Sequence, residues 1–344
     1  MASTMKTVIC AQPHQLVVSE RPIPAAGPGD VLVRVKRIGV CGTDLHIFTG
    51  NQPYLSYPRV MGHELAGIAE TAPAGARVKA GDAVYVMPYL SCGACIACRA
   101  GKTNCCTNIK VLGVHTDGGM AEYLAVPQEF VFNANGISLD QAAMIEFLAI
   151  GAHAVARADV AAGARVLVVG AGPIGMAALI FAKLRGAPVA MLDARADRLA
   201  VCAKSLGADL TVTLDTSGGN ADAKELLDWT GGEAFDAVFD ATGNPKAMER
   251  GLEFVAHGGK YVLISIVNAR ISFFDPDFHK RETTLLASRN ATPADFETVL
   301  DAMRAGKIPT DVLNTHKLDL ATLPETFPKL LEPDAGVIKA LVVC

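Results

Sequence analysis

Up to about residue 130, apolar positions fall in short alternating or continuous runs, among them VLVRVKRIGV (31–40) and HELAGIAETA (63–72), with Gly, Pro and Asp turns between them. Runs of this length and punctuation predict strands. From Leu139 the spacing becomes helical through DQAAMIEFLAIGAHAVARA (140–158). At Arg165 strands and helices begin to alternate. RVLVVG, PVAMLD, AFDAVFDATG and GGKYVLISIV read as buried strands. GPIGMAALIFAKLRG and ADRLAVCAKSLGA read as helices, and the sequence from Pro245 to Val255 is helix-like. Such alternation predicts parallel βαβ units and a doubly wound sheet. The rhythm is lost after Ser288, and the tail VIKALVVC reads as a return to the first domain. The pattern therefore predicts an α/β protein of two domains, which a chain of 344 residues also favours. A β-rich domain takes residues 1–152 and 289–344, and a doubly wound one takes 153–288.

Composition narrows this picture. Apolar residues make up 51% and mean hydropathy is +0.30, the balance of a well-filled interior. A net charge of −4 and a pI near 6.1 offer no basic footprint for nucleic acid. The uncharged stretch Val166–Ala182 holds three glycines and Pro173, so it reads as strand, turn and helix rather than a membrane span. The start, MASTMKTVICAQPHQ, lacks the apolar core of a signal peptide, which predicts a cytoplasmic protein. Nine cysteines in such a chain point to metal or redox use rather than disulfides.

Cys92, Cys95, Cys98 and a fourth cysteine crowd into SCGACIACRAGKTNCCT. Thiolates this close can converge on one tetrahedral Zn²⁺, with Gly93 and Gly101 easing the turns. Disulfides between residues three apart would be strained. The Cys-Pro that ends the bacterial ferredoxin run is missing, which counts against an iron–sulfur cluster. Spacing leaves both Cys105 and Cys106 open as the fourth ligand.

Gly170, Gly172 and Gly175 form G-x-G-x-x-G between a strand and a helix that opens with Pro173 and Ile174. Such a turn brings backbone N–H groups and a helix N-terminus to a pyrophosphate. Asp193 ends the next strand, where a carboxylate accepts from a ribose diol and repels a 2′-phosphate, favouring NAD over NADP. Arg195 and Arg198 stand close to it in sequence. Other ligand-type residues are dispersed: Cys41 in CGTDLH, His63 and Glu64 in GHE, and Glu146 within the apolar QAAMIEFLAIGA. A carboxylate there is costly to bury without a positive partner, and a metal would supply one.

Taken together, CGTDLH, GHE, the cysteine lobe, DGGMAEY and GAGPIG occur in the order and spacing of a known family. From about residue 5 to the C-terminus the chain resembles the zinc-dependent medium-chain dehydrogenases/reductases, and Glu146 places it beside the sorbitol and threonine dehydrogenase branch. The runs GNQPYLSYPRVMGHE, GKTNCC and FHKRETTLLASRNATP are similar to bacterial sugar-acid 5-dehydrogenases acting on L-galactonate or L-gulonate. The resemblance implies a GroES-like catalytic domain with a structural zinc lobe (about 90–107), a Rossmann domain, and two zinc ions per chain. It implies Cys41, His63 and Glu146 as catalytic zinc ligands, with Glu64 binding directly or through water. Cys92, Cys95, Cys98 and Cys106 become the structural ligands.

Thr43 then takes the substrate proton, His46 relays it to solvent, and Asp44 orients the histidine ligand. Gly170, Gly172, Pro173, Ile174, Gly175, Asp193 and Arg198 hold NAD. Arg289 and Asn290 resemble substrate-contacting positions, with Lys280 and Arg281 as further cations for a carboxylate. Phe147 stands where the family often has proline. The implied reaction is hydride transfer between NAD and a secondary alcohol of a sugar acid or polyol. The rivals are a general alcohol, polyol or L-threonine dehydrogenase, and a catalytically silent NAD- and zinc-binding regulator. GKYVLISIV (259–267), taken as an apolar sheet edge, predicts a homodimer or homotetramer.

Overall fold

Strand Asp30–Val40 organises the first half of the chain. Val31, Val33 and Val35 are buried, while Arg34 pairs with Glu70 at 3.2 Å on the outer face. A register shift between Val35 and Arg37 interrupts the alternation, after which Ile38, Gly39 and Val40 are all buried. An inserted residue re-aims the end of a strand in this way, and here that end leads into Cys41. The computed structural model describes residues 3–52, 55–332 and 334–344. Pro53 and Tyr54, part of the run GNQPYLSYPRVMGHE, lie outside the described residues.

The chain divides into two units, one of residues 1–146 and 292–344 and the other of residues 147–291. The sequence pattern puts the same transitions at 152/153 and 288/289. In the first unit, a seven-stranded sheet runs Asn314–Asp319, Lys339–Val343, Asp30–Val40, Glu64–Thr71, Ala83–Val86 and Val131–Asn133, with Tyr123–Pro127 also paired to Asp30–Val40. The C-terminal strand Lys339–Val343 lies antiparallel to Asp30–Val40 and sets Ala340 opposite Val40. Both are buried, so the tail completes the sheet from within.

The second unit carries a six-stranded sheet in which every pairing is parallel. Its strands are Val166–Val169, Val189–Asp193, Leu210–Thr213, Phe235–Asp240, Val255–Leu263 and Thr284–Ala287. Their spatial order by sequence is 3-2-1-4-5-6, the doubly wound dinucleotide-binding arrangement. Leu167, Leu192, Phe235, Val238, Phe254 and Tyr261 form its buried core.

Two sequence expectations need correction here. The GGKYVLISIV strand spans Val255–Leu263 and lies between Phe235–Asp240 and Thr284–Ala287, so it is interior and not an edge. Its apolar character reflects cover on both faces. The helix expected from Pro245 to Val255 ends at Arg250, passes through a 3₁₀ turn at Gly251–Phe254 and becomes strand at Val255. Among the described residues, no helix is long and apolar enough to cross a membrane.

Candidate metal and cofactor sites

The sulfurs of Cys92, Cys95, Cys98 and Cys106 lie within 4.8 Å of one another. Gly93 and Gly101 take φ of +70° and +74° at the turns of this lobe. Cys106 is buried, while Cys105 is exposed and outside the group. Donors point at the sulfurs: the Cys92 N–H to Cys106 Sγ at 3.3 Å, and the Asn108 N–H to the same sulfur at 3.4 Å. Backbone N–H groups of Cys98 and Thr107 pull the Cys95 thiol down to about 5. Four converging sulfurs in a donor-rich loop fit a closed zinc site with no position for substrate. All nine cysteines are free of disulfides.

The second cluster forms where strand Asp30–Val40 gives way to helix Gly42–Thr49. Cys41 caps that helix, and donor atoms of Cys41, His63 and Glu64 lie within 4.8 Å of one another. Asp44 is fully buried and ties the pieces together. Its Oδ2 accepts the Cys41 N–H at 2.9 Å and its Oδ1 accepts the Gly62 N–H at 3.1 Å. It lies 3.9 Å from His63 Nδ1, too far for a hydrogen bond, and holds the segment that carries His63 only through the Gly62 N–H. His63 Nδ1 is buried without a partner. Burial works against a charge on His63, but Cys41 and Asp44 outweigh it and hold the imidazole well above its ordinary value.

Glu64 opens strand Glu64–Thr71 opposite Gly39, where an added Cβ would come within 1.9 Å of Glu64 Oε2. Only glycine leaves room for that carboxylate. Lys339 reaches both Glu64 oxygens, at 2.7 and 2.8 Å, and also donates to the Val40 carbonyl at 3.1 Å. Glu146 stands apart from the 4.8 Å group. Its Oε1 accepts from the Tyr89 hydroxyl and its Oε2 is buried without a partner. Burial pushes its carboxyl up to about 7, against the pull of His63. Sulfur and carboxylate donors, an orphaned imidazole nitrogen and an orphaned carboxylate oxygen together fit a divalent cation. Thr43 is half-buried on the same helix, three residues before the exposed His46. Lys339 and Tyr89 are the participants that sequence reading missed, since each meets its partner only through the fold.

In the second unit Gly170 takes φ of +101°, and Gly172 caps helix Pro173–Leu184 with Pro173 in its first turn. A Cβ on Gly175 would sit 1.8 Å from the Gly170 carbonyl oxygen, so this cradle excludes any side chain. Ile174 is half-buried beside it. Asp193 Oδ2 accepts the Ala171 N–H at 2.6 Å and Oδ1 the Arg195 N–H at 2.7 Å, bracing the turn. Arg195 is paired with Asp197 at 2.7 Å, whereas the half-buried Arg198 approaches Gly172. These residues fit a dinucleotide pyrophosphate.

Arg289 is exposed in this unit, and Asn290 takes φ of +52°. Lys280 pairs with Asp277, and Arg281 donates to the Leu252 carbonyl at 2.6 Å. Both are thus engaged locally, which weakens them as substrate cations.

The family described as "Alcohol dehydrogenase GroES-like domain" matches residues 27–136, and "Zinc-binding dehydrogenase" matches 173–305. The chain belongs to the zinc-dependent medium-chain alcohol dehydrogenase family, with a GroES-like and a Rossmann unit, and is an NAD(P)-linked oxidoreductase. It is 45% identical over 341 residues to L-galactonate-5-dehydrogenase of Escherichia coli K12, covering 99% of each chain. It is 38% identical to an L-threonine 3-dehydrogenase of Bacillus velezensis, covering 93% of this chain and 94% of that one. An alcohol dehydrogenase of E. coli CFT073, solved with NADH, superposes with a TM-score of 0.91 at 30% identity, covering 99% of this chain and all of that one.

Two substitutions test these sites. Lys339→Met leaves the Glu64 charge buried and uncompensated, and should lower unfolding free energy by about 3–5 kcal/mol. Adding Glu64→Gln should recover most of that loss in denaturant titrations. Gly175→Ala should weaken NADH binding, read by fluorescence titration, at least about tenfold, or about 1.4 kcal/mol. Unchanged affinity would refute the cradle.

Proposed function

We propose that the protein oxidises a secondary alcohol of a sugar acid with NAD, in the manner named for its 45% identical relative. That identity, running through 99% of both chains, carries the reading. Cys41, His63 and Glu146 are the residues we assign to the catalytic zinc, and Cys92, Cys95, Cys98 and Cys106 to the structural one. Glu64 stays with Lys339. When bound, zinc supplies Lewis acidity at the reacting oxygen and NAD supplies the hydride acceptor. Thr43 would take the substrate hydroxyl proton while passing its own on, and His46, exposed on the same helix, would release that proton to water. Gly170, Gly172, Pro173, Ile174, Gly175 and Arg198 bind the cofactor phosphates. Asp193 favours NAD over NADP, because its carboxylate repels a 2′-phosphate. Arg289 and Asn290 are the residues we assign to the acid end of the substrate.

A threonine or polyol dehydrogenase is the second reading, favoured by the 38% identical relative. Steady-state assays of NADH formation separate them. L-galactonate or L-gulonate should exceed sorbitol and L-threonine in kcat/KM by at least about tenfold, ~1.4 kcal/mol in transition-state binding. A reversed order would establish the second reading. Metal analysis of active protein should find about two zinc ions per chain.

The protein is cytoplasmic and a homodimer or homotetramer in this proposal. Its second unit exposes the edge strand Thr284–Ala287, along with Ile266 and Phe274 at 76% and 69% exposure. An open edge and large exposed apolar side chains favour self-association. Sedimentation at micromolar concentration should give a dimer or tetramer, and a monomer would overturn the assignment.

A further inference from the structure

We propose that Tyr89 is a positioning residue for Glu146: its hydroxyl occupies Oε1, so that Oε2 alone is presented to the catalytic metal. The inference rests on the reading of Glu146 as a zinc ligand and adds the group that fixes how it binds.

Both side chains are almost wholly buried, Tyr89 at 3% and Glu146 at 4% exposure. A buried carboxylate needs donors at its oxygens, and leaving one unmet costs roughly 1–3 kcal/mol or more. Here the two oxygens are treated differently. The Tyr89 hydroxyl donates to Oε1, whereas Oε2 is buried with no hydrogen-bond partner. A carboxylate oxygen only accepts, so the phenol O–H is the donor of this pair. With Oε1 held in this way, chelation through both oxygens is disfavoured and the carboxylate offers a single ligand atom in one direction.

The hydroxyl itself is held in place by packing. Tyr89 lies on the short strand Tyr89–Leu90, paired with Lys110–Val111. Its ring meets Phe296 edge to face, with centroids 6.1 Å apart and planes at 76°. Phe296 stacks on Tyr85 at 6.0 Å, Tyr85 stacks on Phe132 at 5.4 Å, and the Arg77 guanidinium caps Phe132 at 4.4 Å from its centroid. This column of rings leaves the phenol little freedom to swing away from Glu146. Groups that orient a metal ligand in this way change metal affinity or activity by about 10–100-fold when removed.

Tyr89→Phe keeps the ring and its contact with Phe296 while deleting the donor. Zinc release from the holoenzyme to a chromogenic chelator provides the readout, with the cysteine-lobe zinc as internal control. The variant should release its catalytic zinc about 10–100-fold faster while the second release phase and NADH affinity stay at wild-type values. In the cobalt-substituted enzyme the visible ligand-field bands should shift. Acceleration of both phases together with a fall in Tm would mean a purely structural role and overturn the proposal. Wild-type release with an unshifted cobalt spectrum would overturn it as well. Glu146→Ala in the same assay separates this outcome from failure of the ligand assignment. Retention of about two zinc ions and full turnover would remove Glu146 as a ligand. A loss to about one zinc, alongside a Tyr89→Phe variant that behaves as wild type, would remove Tyr89 alone.

Discussion

Glu64 has no exposed surface, and its carboxylate can be buried because Lys339 lies against both of its oxygens. The two residues are separated by 275 positions, so the pair forms only when the C-terminal strand returns to Asp30–Val40. Breaking such a pair strands a charge in the interior, at a cost much greater than that of a surface ion pair. The same return brings Lys339 to the Val40 carbonyl, one residue before Cys41. The strand that closes the sheet therefore also completes the surroundings of Cys41 and Glu64. Gly39 belongs to the same constraint, since any side chain there would displace the Glu64 carboxylate.

Around this pair the fold crowds ionisable and metal-ligating groups. Cys41, Asp44 and Glu146 share the buried neighbourhood of His63, and Lys339 is already committed to Glu64. Asp44 spends both oxygens on the backbone N–H groups of Cys41 and Gly62, which fixes two ligand-bearing segments relative to each other. Glu146 Oε2 and His63 Nδ1 are left buried without partners, and a divalent cation would meet such a need.

Local features of this arrangement were legible in the sequence. The Gly170–Gly175 turn, Asp193 at its strand end and the cysteine lobe each lie within a few tens of residues, so spacing carries most of their geometry and leaves open only which of Cys105 and Cys106 closes the lobe. The strands Leu210–Thr213 and Thr284–Ala287 were not legible. Both are four residues long, carry threonines and form the two edges of the parallel sheet, so they lack the apolar run of a central strand. Misreading Val255–Leu263 as an edge follows from that omission, because its outer neighbour was invisible. Lys339 and Tyr89 were missed for a different reason. VIKALVVC reads as an ordinary apolar strand, and only the register with Asp30–Val40 turns its lysine toward Glu64.

The remaining tension lies between distance and charge. By distance, Glu64 joins Cys41 and His63, and Glu146 does not. By hydrogen bonding, both Glu64 oxygens already belong to Lys339, and Glu146 keeps one buried oxygen with no partner. A cation arriving at Glu64 would have to compete with an ammonium already in contact and fully desolvated. At Glu146 it would instead satisfy an unmet acceptor, and a buried unmet acceptor is among the costlier defects an interior can hold. Lys339 thus lets Glu64 be buried, while Glu146 keeps the unmet oxygen that our proposal gives to the metal.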